Sequence, residues 1–460
     1  MFLKTRKFQE KKVVTRFAPS PTGFLHLGNY RTALFNYIYA KQHNGKMILR
    51  VEDTDQARSK KEYEEDIIES LEWLGIQYDE IYRQSDRKNI YTRYIKNLLE
   101  KGLAYESDEE KDDIKNTVIR FKNPKTIVAF NDVVRGEISM DTKDLGDFVI
   151  ARGIDDPVYH LAVVIDDFEM NITHVIRGED HISNTPRQIL IQRAIEATPV
   201  SYAHIPLVLA PDKTKLSKRH GALPVREYKD EGYLPEALIN FLALLGWSPQ
   251  QGDRSDQNDI FTLEELCKTF SLARVQKGGA IFNKEKLLWV NKEHIKKMPD
   301  RDFSNAVKKF LPEEIFTFPQ WSEERYARVV LALRDRIGKF SDIKDLYGGG
   351  ELAYFFERPE LEPARISWRE VKDIAVTKTH VDNIINILQK TPVDNFLTPE
   401  EIKENLWEYA TEHGRGSVLW PMRYALSGQE KSPDPFTLAS IFGKEETIER
   451  LRAASKKLAL

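Results

Sequence analysis

The sequence predicts an α/β protein in which a parallel-sheet domain is interrupted by a mixed α/β insertion and followed by an all-α C-terminal region. Three observations predict it. Through the first hundred residues, short apolar runs alternate with longer amphipathic ones. Between about 117 and 180 the texture shifts to brief β-rich runs separated by turns. After about 300 the chain is charged and helical in pattern, so the three stretches belong to different parts of a multidomain fold.

"KVVTRFA" (12–18) reads as a strand. "NYRTALFNYIYAKQH" (29–43) then sets Ala33, Leu34, Tyr37 and Ile38 at helical spacing, with Asn44-Gly45 as its stop. "MILRVEDTD" (47–55) is a second strand. Strand, loop, helix and strand in that order imply a parallel pair with a right-handed crossover. "SKKEYEEDIIESLEWLGI" and "RKNIYTRYIKNLLEKGL" are further amphipathic helices. The insertion contributes "TVIRFK", "TIVAFND", "RGEISM", "DFVIAR", "VYHLAVVIDD" and "ITHVIRG" as β-rich runs. "SNTPRQILIQRAIEA" and "SYAHIPLVLAP" add a helix and a strand before the loop "PDKTKLSKRHGA". "YLPEALINFLALLGW" carries Leu234, Leu238, Phe241, Leu242 and Leu245 as a helix stripe that packs a core. Later breaks fall at "YGGG" (347–350) and "SGQEKSPDP" (427–435), and a domain boundary is expected near 295–305.

A chain of 460 residues suggests about three domains at roughly 150 residues each. With 41% hydrophobic and 31% charged residues it reads as a soluble globular protein. The formal net charge is −3, so any nucleic-acid surface is a local patch and not a global excess of charge. Cys267 is the single cysteine, which excludes an internal disulfide framework and any Cys-rich zinc site and suits a reducing cytoplasm. The basic N-terminus "MFLKTRKFQEKK" lacks the apolar run of a secretory signal, and no stretch reaches the length of a membrane span.

The chemistry concentrates in "RFAPSPTGFLHLGN" (16–29), between the first strand and the first helix. Such a loop lies at the carboxyl end of a parallel sheet, where ligands bind. The free N–H groups and dipole of the helix start near Gly28 favour an anion. His26 can donate to a phosphate oxygen, and Arg16 offers a forked cation to a carboxylate or phosphate. Alone, this stretch is more often an ordinary turn with a satisfied histidine. A second feature changes the balance. "KLSKR" (215–219) gathers Lys215, Lys218 and Arg219 in a loop after the last sheet strand, where mobile cations can neutralise charge that builds up during phosphoryl or adenylyl transfer.

"HLGN" after a first strand, followed by "KLSKR", resembles the paired signature of class I aminoacyl-tRNA synthetases. The wider strings "RFAPSPTGFLHLGNYRTALFNY", "VEDTD", "VVRGEIS", "VYHLAVVIDD", "HVIRGEDHISNTPRQ", "KLSKRHGA" and "GYLPEALINFLALLGWS" resemble the glutamyl-tRNA synthetases and run in that family's order across 13–290. "VLWPMRYALSGQEKSPDP" resembles the family's closing region. The resemblance implies a Rossmann-like catalytic domain in two halves (1–94 and 159–212). It also implies an inserted acceptor-stem domain (95–158), a stem-contact helical domain carrying "KLSKR" (213–300) and a helical anticodon-binding region (301–460).

The implied activity is ATP-dependent ligation of L-glutamate to the 3′ end of tRNA(Glu) through glutamyl-adenylate, with transfer to the 2′-hydroxyl of the terminal adenosine. Whether tRNA(Gln) is a second acceptor stays open. By the same resemblance His26, Lys215 and Lys218 are catalytic, and His26, Gly28, Asp180, Val208, Lys215 and Lys218 bind ATP with its Mg²⁺. Glutamate falls to Arg16, Ala18, Ser20, Glu52, Tyr159 and Arg177. Physically, Arg16 and Arg177 suit the side-chain carboxylate, Tyr159 adds a hydrogen bond, and Glu52 suits the ammonium. A monomer is expected.

Three departures from the family pattern stand out. The segment "GLAYESDEEKDDIKNTVIRFK" has neither Cys nor His where many members hold zinc, so no zinc and a shortened insertion are expected. Asn29 and Tyr30 stand at the end of the first signature in place of the more usual residues, and Val163 stands where many relatives have Asn. Three alternatives compete: a truncated paralogue that glutamylates a modified tRNA base, a non-catalytic tRNA-binding protein, and another nucleotidyltransferase that activates a small acid without tRNA and generally lacks a long C-terminal helical region. The first lacks a helical C-terminal half, which this chain carries. The second predicts loss of His26, Lys218 or Arg177, and all three are present.

Overall fold

The computed structural model describes residues 12–459 apart from 112–113, 217–222, 251–258 and 372. The chain divides into two compact units, Met1–Asn291 and Lys292–Leu460.

The first unit is organised by a parallel sheet. Strand β1 (Val14–Phe17), helix α1 (Leu27–Gln42), strand β2 (Lys46–Val51), helix α2 (Lys61–Trp73) and strand β3 (Glu80–Arg83) form two successive crossovers, with β1, β2 and β3 pairing in parallel. Helix α3 (Lys88–Glu100) follows and leads into the insertion. Strands β4 (Ala104–Lys111), β5 (Ile114–Phe121), β6 (Ile127–Asp132), β7 (Gly136–Asp141), β8 (Phe148–Gly153) and β9 (Asp156–Pro157) come next. Strands β4, β5, β8 and β9 make their own antiparallel sheet. The β6–β7 hairpin instead joins the parallel sheet, where β6 pairs with β11 (Ser201–Ile205) through Tyr202 and Asp132.

Helix α4 (Tyr159–Glu169) corrects the strand reading of "VYHLAVVIDD". Its residues Leu161 to Asp167 are buried without a break, so no periodicity separates helix from strand in that run. The β-branched Val163, Val164 and Ile165 then tip a propensity-based reading the wrong way. Strand β10 (His174–Gly178) is parallel to β11, and helix α5 (Thr185–Ala194) connects them.

Successive carbonyls of an extended strand point to opposite sides. Val13 O accepts the Lys46 N–H, while Val14 O accepts the Thr173 N–H at 2.9 Å. Strand β1 therefore sits between β2 and β10, and the sheet reads 3-2-1-10-11-6-7. Thr15 Oγ1 donates to Asn36 O at 3.0 Å and Asn36 Nδ2 donates to Ile176 O at 3.0 Å, tying α1 across β1 to β10.

Beyond the sheet come β12 (Val208–Leu209), α6 (Val225–Asp230), α7 (Pro235–Leu244), α8 (Leu263–Thr269), β13 (Ala280–Ile281) and α9 (Lys284–Lys297). Leu238, Phe241, Leu242 and Leu245 are buried in the same core as Ala33, Leu34, Tyr37 and Ile38 of α1, which is the packing role expected of that stripe.

The second unit is helical: α10 (Asp300–Phe310), α11 (Glu323–Ala332), α12 (Asp342–Gly348), α13 (Pro363–Ile366), α14 (Ile374–Lys390), α15 (Pro399–His413), α16 (Arg415–Ser427) and α17 (Pro435–Lys457). Asp434 caps α17 by accepting from the Phe436 and Thr437 N–H groups, and Gly443 at φ 75° breaks that helix internally. Arg450 of α17 is buried and donates to the carbonyls of Tyr354, Leu426 and Glu357, so one guanidinium closes three orphaned chain segments. Among the described residues no helix is long and apolar enough to cross a membrane.

Candidate active site

At the carboxyl ends of β1, β2 and β10 lies a cavity of about 350 Å³. It is lined by every site residue expected from the sequence except Lys218: Arg16, Ala18 and Ser20; His26 and Gly28; Glu52; Tyr159; Arg177 and Asp180; Val208 and Lys215. Lys218 lies outside the described residues. Its described neighbours flank the cavity, since Leu216 lines it and Pro224 forms a β-bridge with His26.

The charged end of the cavity is an alternating chain of buried ions. Arg16 Nε donates to Asp167 Oδ1 at 3.1 Å, and Arg50 Nη1 donates to the same oxygen at 2.6 Å. Arg50 Nη2 donates to Glu52 Oε1 at 3.0 Å. Burial alone would raise the Asp167 pKa, but Arg16 and Arg50 outweigh it and hold this carboxyl below its ordinary value. For Glu52 burial prevails over Arg50 and Arg16, and its pKa is raised. Arg16 engages Asp167 through Nε and also lines the cavity.

Arg177 is different. It is 6% exposed, yet its hydrogen-bond partners are all neutral. Nη2 donates to Thr185 Oγ1 and Gln188 Oε1, each at 2.8 Å, and Nε donates to His204 Nε2 at 3.1 Å. Nη1 is buried with no partner. Burial pulls its pKa below the ordinary arginine value. Tyr159 places its hydroxyl 3.0 Å from His181 Nδ1, and burial with Arg177 nearby lowers the His181 pKa to about 4, so that ring is neutral at pH 7.

The other end is built around α1. His26 stands at the N-cap in an extended conformation and makes no side-chain cap, leaving its Nδ1 buried without a partner. Burial, then Lys215, lowers its pKa. The first turn of α1 holds no acidic side chain, so its positive dipole end is uncompensated. Gly28 has a sharper role than leaving room for a ligand. A Cβ there would sit 3.0 Å from the His26 ring and 3.4 Å from Val208 Cγ2, so glycine lets the histidine fold over the helix start. Lys215 Nζ meets Asp180 Oδ2 at 3.0 Å on the rim. The Val208 carbonyl accepts the Leu216 N–H at 3.0 Å.

The departures resolve unevenly. Asn29 lines the cavity. Tyr30 is fully buried and packs toward Phe17 in the core, while Val163 is buried in α4 and does not line the cavity. Asp53 and Asp55 separate from Glu52: Asp53 accepts from the Ser85 N–H and hydroxyl, and Asp55 pairs with Arg58. Sequence reasoning missed Arg50, Asp167, Thr185, Gln188 and His204. The available signals were a lone arginine inside the apolar run "MILRV" and two aspartates closing "AVVIDD". In the second unit, Tyr424 is buried, Trp420 Nε1 donates to Arg365 O at 3.1 Å, and the exposed Arg415 lies over the Trp407 ring.

The chain matches the family model for the catalytic domain of class I tRNA synthetases (E and Q) over residues 12–117 and 115–289, and an anticodon binding domain model over 302–455. It is 40% identical to the glutamate–tRNA ligase of Thermodesulfovibrio yellowstonii, covering 96% of this chain and 98% of that protein. It is also 40% identical to the glutamate–tRNA ligase of Aquifex aeolicus, covering 97% of this chain and all of that one. The crystal structure of a glutamate tRNA ligase from Elizabethkingia meningosepticum in complex with its amino acid superposes with a TM-score of 0.83 at 33% identity, over 97% of this chain. The chain belongs to the glutamate–tRNA ligase family of class I tRNA synthetases.

Proposed function

We propose that this chain joins L-glutamate to the 3′ end of tRNA(Glu) in two steps, through glutamyl-adenylate. The observation that carries the reading is Arg177: a buried guanidinium with no carboxylate partner and a vacant Nη1, in the cavity that also holds the start of α1. Such a cation is costly unless an anion completes it, and the glutamate side-chain carboxylate is that anion. A glutamine amide supplies no charge, so discrimination rests on leaving Arg177 uncompensated.

In the first step the α-carboxylate of glutamate attacks the α-phosphorus of ATP, a C–O–P bond forms, and pyrophosphate leaves. The attacking carboxylate is already ionised, so no strong base is required. His26, the α1 N-terminus and Lys215 hold the phosphates, with Lys218 as a further cation from the same loop. In the second step the terminal 2′-hydroxyl of the tRNA attacks the activated carbonyl and AMP leaves. Mg²⁺ enters on the ATP phosphates. Among the described residues, no group of three or more His, Cys, Asp or Glu side chains is gathered to hold a metal ion. The helical second unit supports the tRNA-charging reading over base glutamylation, and a monomer working in the cytoplasm is part of the proposal.

ATP–pyrophosphate exchange tests this, with glutamate or glutamine, and with or without tRNA(Glu) and tRNA(Gln). Glutamate-dependent exchange is expected, at least when tRNA(Glu) is present. Its absence in every arm sinks the proposal, and attachment of labelled glutamate to tRNA(Gln) in a separate aminoacylation reaction reports whether that tRNA is a second acceptor. A narrower expectation concerns Gly28→Ala. Helix propensity favours alanine by roughly 0.5–1 kcal/mol, so thermal stability holds or rises. The displaced His26 ring raises the KM for ATP several-fold, and the KM for glutamate stays near wild type. Steady-state kinetics paired with a melting curve check both signs.

A further inference from the structure

Behind Arg177 runs a second layer of side chains. Asp132, at the end of β6, accepts the Val134 N–H at 3.0 Å and the Arg135 N–H at 2.9 Å through Oδ1. Its Oδ2 accepts the His204 N–H at 3.0 Å and faces His204 Nδ1 at 2.6 Å. His204, on β11 and fully buried, faces Arg177 Nε through Nε2 at 3.1 Å. The registers Tyr202↔Asp132 and Arg177↔His204 fix this line across three adjacent strands.

The proton positions follow from the partners. Arg177 Nε is always a donor and the Thr185 hydroxyl, 3.1 Å from the same nitrogen, can donate as well, so His204 Nε2 is the bare nitrogen of a neutral ring and Nδ1 carries the proton that Asp132 Oδ2 accepts. The ring of Tyr202 lies 9° from parallel to that of His204, closing one side of it. Burial, with Arg177 nearby, lowers the His204 pKa despite Asp132, in keeping with a neutral ring.

We propose that Asp132 and His204 are positioning and specificity-determining residues: together they aim the Arg177 guanidinium while keeping a full carboxylate one imidazole away from it. A carboxylate in direct contact would hold Arg177 equally well but would neutralise it. The neutral acceptor fixes the orientation and leaves the charge for the ligand. This inference rests on the reading of Arg177 as the glutamate-binding cation.

Asp132→Asn is the decisive variant. The Val134 and Arg135 N–H groups, with the His204 N–H at 3.2 Å, hold the Oδ1 side against a single backbone N–H on Oδ2, so the asparagine oxygen stays there and its NH₂ takes the place of Oδ2. An NH₂ facing Nδ1 reverses the tautomer and points Nε2–H at Arg177 Nε–H, donor against donor. Loss of one hydrogen bond to a charged group predicts a glutamate KM raised roughly ten- to a hundredfold. The KM for ATP and kcat stay within about twofold, and the preference for glutamate over glutamine falls by the same factor as glutamate binding. His204→Gln, which can still present an amide oxygen near the Nε2 position, retains more glutamate affinity than His204→Phe.

The readouts are exchange kinetics with tRNA present and ¹⁵N-imidazole NMR of the full chain at pH 7.5. Wild type is expected to show the Nδ1–H tautomer of His204, and Asp132→Asn the Nε2–H form. A glutamate KM unchanged in Asp132→Asn overturns the inference, as does a parallel rise of both substrates' KM or a wild-type ring found as Nε2–H or imidazolium. Absence of glutamate-dependent exchange in wild type overturns instead the underlying reading of the site.

Discussion

Arg177→Gln is expected to abolish most glutamate activation while leaving the protein as stable as before or more so. The two signs come from one cause. The guanidinium is buried against a threonine hydroxyl, a glutamine carbonyl and an imidazole, none of them charged. Removing it deletes an uncompensated buried cation from the free protein. The glutamate complex suffers the opposite fate, because the ligand carboxylate is then the unpaired buried ion. Breaking a buried pair in this way costs about 3–5 kcal/mol, which predicts kcat/KM for glutamate down on the order of a hundred- to a thousandfold. The variant is checked by exchange kinetics alongside thermal denaturation. A melting temperature that falls in step with activity would show that Arg177 serves the fold and not a ligand.

Asp167→Asn is expected to do the reverse and weaken the first unit itself. Its Oδ1 is shared by Arg16 and Arg50, both buried. With that carboxylate neutralised, Glu52 alone must balance two guanidinium groups. The expected loss is about 3–5 kcal/mol, read as a lower urea midpoint for the transition of that unit. Activity falls too, because Arg16 lines the cavity and loses its anchor. The pH dependence follows from the sign of the shift. A carboxyl whose folded pKa is depressed contributes stability in full above its unfolded pKa, about 3.9, and loses it as pH falls through the folded value. The difference between wild type and Asp167→Asn should therefore be constant from pH 5 to 8 and shrink only in stronger acid. Exposed pairs such as Lys61 with Glu65 should show no comparable effect.

Part of the site was legible in the sequence because two loops carry many of its residues. The "RFAPSPTGFLHLGN" loop and the "HVIRGED" turn end parallel strands, so their polar residues reach the same edge of the sheet whatever the details of packing. The supporting layer was not legible, and the reason is geometric. Asp166 and Asp167 are adjacent in sequence, yet Asp166 accepts from Gln84, Arg87 and Tyr91 while Asp167 holds Arg16 and Arg50. Which aspartate faces which partner depends on that run being helical, and its β-branched residues suggest a strand. Arg50 carried a signal, as a cation inside an apolar strand, but its partner is supplied by α4, 117 positions away. Asp132 belonged to a hairpin read as part of the insertion, and only its pairing with β11 brings it behind Arg177.

The long separations also bear on synthesis. A ribosome releases Arg16 first and Asp167 only 151 residues later, with Arg177 and His204 after that. Until α4 has left the exit tunnel, Arg16 lacks its native carboxylate partner, and such a group remains hydrated outside any core. The amino-acid pocket is thus closed to a half-made protein. The cluster of Arg16, Arg50 and Asp167 can therefore close only after α4 has been made.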